Sequence, residues 1–251
     1  MKNHPDIWQE HLKKPDEQSH KYTRGSALIY AAPEMSGASN LAAQACARVG
    51  AGLVNVVTGE NADLFKAILP AHIIIRNNLK WFDERITTRL YGSGGMPCTV
   101  DFSRHIPTVL DADALQIDIL ENLNSNYVLT PHLGEFGRLF SDINTDNKEY
   151  AAIEAAKRSG SIIVLKGAHT VIAHPDGRTI TNDHGSPYLA SAGTGDVLAG
   201  MITGLCAQGI EPFIAACAAA WIHGEAGQRI GAGLVASDIP DKIPEILHDF
   251  A

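Results

Sequence analysis

Gly193-Thr194-Gly195-Asp196 is the tetrapeptide on which chemistry is most readily built. It lies within Gly185 to Gly204, a stretch that opens with turn residues and closes as an apolar helical run. Glycine lets backbone approach an anion closely, and the first N–H groups of a helix lack internal acceptors. With the positive end of the helix dipole, Ala192 to Gly195 form an anion cradle where the helix should begin. Asp196 then puts a carboxylate beside that cradle. One reading makes it a first-turn acid that complements the dipole. The other makes it a base aimed at a hydroxyl about to meet a phosphate. The motif alone leaves both open.

Three further stretches carry candidate groups. Asp111 and Asp113 follow a strand, Thr108 to Leu110, and acids at a strand's C-terminal end are well placed for chemistry in an open α/β sheet. The alternative is a cap for the next helix. In Thr130-Pro131-His132-Leu133-Gly134-Glu135-Phe136, the proline limits further ladder bonding and Gly134 permits a bend, so His132 and Glu135 emerge together at a strand end. Glu135 could equally serve as an N-terminal helix acid. Tyr91 to Gly95 is either a second anion-approach loop or a connection, and its composition favours a connection.

The elements around these groups alternate. Strands are expected at Ser26 to Ala32, Gly52 to Thr58, His72 to Arg76, Thr108 to Leu110, Tyr127 to Leu129 and Ser161 to Leu165. Between and after them, helical spacing marks Gly37 to Val49, Ala62 to Leu69, Asn147 to Arg158, Val197 to Gln208 and Phe213 to Ile230. A last helix is capped by Ser237 or Asp238. Strand–helix–strand order means right-handed crossovers and a mostly parallel sheet. Val171 to Ala173 and Thr179 to Asn182 flank the turn His174 to Arg178, an antiparallel edge hairpin. Residues 77 to 100 resist placement.

The 251 residues suit one domain, 1–251, with a polar lead over 1–20. A formal charge of −8 provides no basic footprint, so nucleic acid and anionic membrane are not expected partners. Cys46, Cys98, Cys206 and Cys217 have no metal spacing; three lie in helical patterns and read as buried free thiols in a reducing compartment. The amino-terminal stretch has no signal-peptide core and no apolar run is long enough to span a bilayer, so the chain reads as cytoplasmic.

Taken in order, the pieces resemble the ADP/ATP-dependent NAD(P)H-hydrate dehydratases, a family with the ribokinase-like three-layer α/β/α fold. The resemblance rests on Gly37-Ala38 with its alanine helix, Arg48 to Val54, Val109 to Leu115, Thr130 to Phe136, Val164 to Ile172, Gly185 to Gly204, Trp221-Ile222-His223-Gly224 and Gly233 to Asp238. It implies repair of NADH and NADPH hydrated at the nicotinamide ring: the ring hydroxyl of the S epimer is phosphorylated, from ADP in bacterial members and ATP in eukaryotic ones, and phosphate is eliminated. It also implies Asp196 as base, with Ala38, Gly94, His132 and Asp196 contacting the hydrated dinucleotide. Lys166, Gly167, Ala168, His169, Thr170 and Gly195 would hold the adenine nucleotide. Mg2+ would be held by Glu135 through water. The resemblance further implies a homo-oligomer, often a homotetramer, and an epimerase that many members carry fused upstream and that this chain is too short to contain.

Ser186 stands where the family has asparagine, Ala192 where glycine is frequent, and Ser93 where its Gly-Pro-Gly turn has proline. The first two are small, so the cradle survives. A vitamin-precursor kinase would share the Gly-Thr-Gly-Asp logic, but Thr130 to Phe136 with the Lys166 loop look specific to the dehydratases. A catalytically silent nucleotide binder would have lost Asp196 or its glycines.

Overall fold

Strands with apolar residues on both faces must be covered on both, which sets a parallel sheet between helical layers. The computed structural model describes residues 1–250. Strands β1 (Ser26–Tyr30), β2 (Leu53–Val57), β3 (Ile74–Arg76), β4 (Thr88–Tyr91), β5 (Thr108–Leu110), β6 (Tyr127–Leu129) and β7 (Ile162–Leu165) run parallel. The hairpin β8 (Thr170–Ala173) and β9 (Thr179–Asn182) extends them antiparallel, giving nine strands in the order 3-2-1-4-5-6-7-8-9. The antiparallel edge expected from the turn at His174 to Arg178 is present, with the His174 N–H donating to the Arg178 carbonyl at 2.9 Å.

Helices α1 (Ser36–Arg48), α2 (Ala62–Ile68), α3 (Leu133–Leu139), α4 (Lys148–Ser159), α5 (Thr194–Ala207), α6 (Pro212–Ile230) and α7 (Asp238–His248) divide between the faces. Alternate strand residues such as Ala27 and Ile29 pack with α1, α5, α6 and α7, while Leu28 and Tyr30 belong to the core under α3 and α4. Small residues let α1 and α5 come unusually close: a Cβ on Gly200 would lie 2.2 Å from the Ala42 carbonyl oxygen. Cys46, Cys206 and Cys217 are buried free thiols in α1, α5 and α6, as expected, and Cys98 is half-buried.

Two segments carry structure that the sequence did not display. The unplaced residues 77–100 contain β4, a central strand between β1 and β5. Its Arg89 broke the apolar pattern, yet this side chain is fully buried, donating to the Arg104 carbonyl at 3.3 Å and lying 3.4 Å from the Tyr91 hydroxyl. The polar lead packs onto the rest of the chain. Asn3 pairs with the edge strand through the Thr181 carbonyl at 2.9 Å, and Trp8 is fully buried against Trp221 and Phe250.

The strand order reverses direction between β1 and β4, and ligands of open α/β sheets sit outside the carboxyl ends of strands at such a point. The loop after β4 meets the chain after β1 there. Gly94, at φ +88°, has no room for a side chain: a Cβ would lie 2.4 Å from the Met35 carbonyl and 3.2 Å from Ala38 Cβ. Among the described residues, no helix is long and apolar enough to cross a membrane.

Candidate functional site

The carboxyl ends of β5, β6 and β7 deliver Asp111, Thr130 and Lys166 to one point. Asp111 is buried and its Oδ1 accepts from the Thr130 hydroxyl at 2.7 Å and from Lys166 Nζ at 2.9 Å. Its side chain does not cap the short 3-10 turn that follows, so the capping alternative is not realised. Lys166 Nζ also lies 3.9 Å from Glu135 Oε2, and a Cβ on Gly195 would sit 3.4 Å from it. One ammonium thus ties the strand ends to the start of α5.

Gly193 caps α5 with φ +90°, a conformation that suits glycine, and it has no side chain to satisfy the first-turn donors. The Thr194 N–H turns back to the Ser191 carbonyl at 3.5 Å. The Thr194 hydroxyl donates to the Leu189 and Ser191 carbonyls at 2.8 and 3.0 Å, fixing the turn. From α6, His223 donates its Nε2–H to the Thr194 carbonyl at 2.9 Å; burial lowers its pKa to about 4, so the ring is neutral. Asp196 follows one residue after Gly195. Burial raises its carboxyl to about 6, helped by the charge of Asp111 and opposed by a hydrogen bond from Ser93 and by Lys166. A carboxylate poised there gains proton affinity without losing its charge at neutral pH.

His132 and Glu135 do emerge together. They form a reciprocal cap on α3: His132 Nδ1 accepts the Gly134 and Glu135 N–H groups at 3.0 and 3.2 Å, and Glu135 Oε2 accepts the His132 N–H at 2.8 Å. The role of helix acid is therefore filled by Glu135, which is buried, while His132 is exposed. Lys166 joins this cap to Asp111.

A cavity of about 450 Å³ opens beside these groups, lined by Lys166, Gly167, Ala168, Thr170, Thr194 and Gly195 on one side. Its other walls include His184, Leu189, Leu198 and His223. His184 stacks on Trp221 at 4.4 Å and is held by Glu225 at 2.7 Å. His169 is exposed and does not line the cavity, nor do Ala192 and Gly193. Ala38 and Gly94 meet at the head of α1, outside this cavity. Asp111 and His223 lay within motifs visible in the sequence but carried no assigned role; Thr130 and Ser93 become legible only through their contacts with acids distant in sequence.

Comparisons with known proteins bear on the family and the fold. The family model described as NAD(P)H-hydrate dehydratase matches residues 98–248. The chain is 32% identical to the ADP-dependent (S)-NAD(P)H-hydrate dehydratase of Bacillus subtilis, over 95% of both chains. Against the bifunctional NAD(P)H-hydrate repair enzyme of Moorella thermoacetica it is 34% identical, and it spans only 52% of that relative's length. The crystal structure of the Bacillus subtilis ADP/ATP-dependent NAD(P)H-hydrate dehydratase, co-crystallised with ATP and Mg2+, superposes with TM-score 0.84 at 30% identity, covering 97% of each chain. The sheet and its layers are those of ribokinase-like proteins. By its sequence match and its architecture, this chain belongs to the NAD(P)H-hydrate dehydratase family.

Proposed function

We propose that the chain is an ADP-dependent (S)-NAD(P)H-hydrate dehydratase, acting on hydrated NADH or NADPH with an adenine nucleotide as phosphate donor. The observation that carries this reading is the placement of Asp196 in the first turn of α5, behind the side-chain-free cap Gly193 and next to Gly195, which faces Lys166 Nζ. In the reading, the nucleotide occupies the cavity with its phosphates toward Gly195 and Lys166, along the loop Lys166 to Thr170. The hydrated ring enters from the side of Ala38, Gly94 and His132.

Asp196 takes the proton of the ring hydroxyl as its oxygen attacks the terminal phosphorus. The bond to the departing nucleotide breaks, releasing AMP when ADP is the donor. The amides of Ala192 to Gly195 and the Lys166 ammonium stabilise charge on the transferred group. The ester's C–O bond then breaks, inorganic phosphate leaving with the electron pair as the ring nitrogen pushes, and loss of the adjacent ring proton restores the reduced nicotinamide. Phosphorylation is needed because hydroxide is a poor leaving group.

Magnesium fits the donor set. Asp111, Glu135 and Asp196 surround one ammonium, so arriving phosphates meet an excess of negative charge. Among the described residues no three His, Cys, Asp or Glu side chains could hold a metal by themselves. Mg2+ is commonly held by one or two carboxylates plus substrate phosphates and water, and Glu135 would contribute its carboxylate through water. When bound, the ion would neutralise phosphate charge.

A phosphorus NMR time course with ADP, Mg2+ and hydrated NADH tests the reading. AMP and inorganic phosphate should appear together, in equal amounts. AMP appearing without inorganic phosphate, with a stable phosphate ester of the hydrated dinucleotide in its place, would instead make the chain a kinase.

A further inference from the structure

We infer that Lys148, the first residue of α4, is a positioning residue that holds the loop Lys166 to His169 in the shape that receives the nucleotide. Its Nζ donates to the Lys166 carbonyl at 3.1 Å and to the His169 carbonyl, bridging both ends of the loop from behind. Gly167 lies between them, and a Cβ there would come within 2.7 Å of Nζ. The peptide bonds are trans, so a Lys166 carbonyl turned to Lys148 directs the Gly167 N–H the opposite way. Gly167, Ala168 and Thr170 line the cavity, whereas Lys148 does not.

Nothing in local stability favours this lysine. It stands in the first turn of α4, where the helix dipole opposes a cation. It is half-buried, burial lowers its pKa to about 8, and no neighbouring charge offsets that. The carbonyls of the loop are what compensate it. Its charge also lies behind a loop that the proposed function assigns to phosphates, so the inference rests on that reading.

The test is calorimetric titration of ADP in the presence of Mg2+ into the intact chain, its K148M variant and its K148R variant, with thermal melts of each. Wild-type protein should bind ADP; if it does not, the nucleotide site itself is refuted, independently of Lys148. K148M should bind ADP about tenfold more weakly, the scale of losing a charge-assisted hydrogen bond, with an unchanged melting temperature. Its KM for hydrated NADH should stay within about twofold of wild type, the variation expected of an unperturbed site. K148R should recover most of the affinity. Wild-type ADP affinity in K148M overturns the inference, and so does an equal weakening of ADP and hydrated NADH.

Discussion

Among single residues, Asp196 is the one on which the proposed chemistry turns. Its carboxyl is held at about 6 chiefly by burial and next by Asp111, so the folded state keeps this proton more tightly than an unfolded chain does. Ionisation therefore costs the native state free energy as pH rises from about 4 to about 6, and the whole cost persists above that. A two-unit shift corresponds to at most about 3 kcal/mol, less what water recovers. Asp196→Asn removes the charge. It should abolish turnover, leave ADP binding intact, and melt at higher temperature than wild type at pH 7.5 but not at pH 4. In wild type, kcat/KM for the hydrate should fall as pH drops through about 6, because the base is then protonated. A variant that keeps most of its rate, or melts lower at pH 7.5, contradicts the assignment.

At the scale of elements, the site depends on how closely α5 approaches α1, because α5 carries the cradle and α1 carries Ala38. Gly200 and Gly204 set that distance; Cβ atoms there would lie 2.2 Å from the Ala42 carbonyl and 2.4 Å from the Cys46 carbonyl. Gly200→Ala must push the helices apart and should cost about 3 kcal/mol or more in urea unfolding. Gly37→Ala, in α1 with nothing within 4 Å, should be neutral or stabilise by about 0.5–1 kcal/mol. Equal effects at both positions would show that the close approach is unimportant. Such glycines are also why this part of the site could be read from sequence. Gly193, Gly195 and the alanine helices announce a backbone requirement in residue type alone. The α/β alternation and edge hairpin were legible for a similar reason, since periodicity and turn residues are local. β4 was not, because a buried Arg89 is made tolerable by Tyr91 and a carbonyl from residue 104, which no window of sequence displays.

The whole molecule ties its sheet edge and its cavity together through the chain's first residues. Asn3 Nδ2 donates to Asn182 Oδ1 and to the Cys217 carbonyl, both at 2.8 Å, and Asn182 in turn holds the His184 carbonyl at 2.9 Å. The polar lead therefore braces a cavity wall. Polarity concealed this, since a single buried Trp8 and one amide do the anchoring. Lys148 was hidden in the same way, its partner lying 18 residues away, and Asp111, visible at its strand end, had no role to show because its partner Lys166 lies 55 residues away. What the assembled molecule should do is turn hydrated NADH back to NADH at the expense of a nucleotide. Absorbance at the reduced-nicotinamide band, with Mg2+ and hydrated NADH, measures this with ADP, with ATP and with no nucleotide. The account predicts a rise that requires nucleotide, is faster with ADP than with ATP and is absent in Asp196→Asn; no rise with either nucleotide from folded protein, or an equal rise without one, would contradict it.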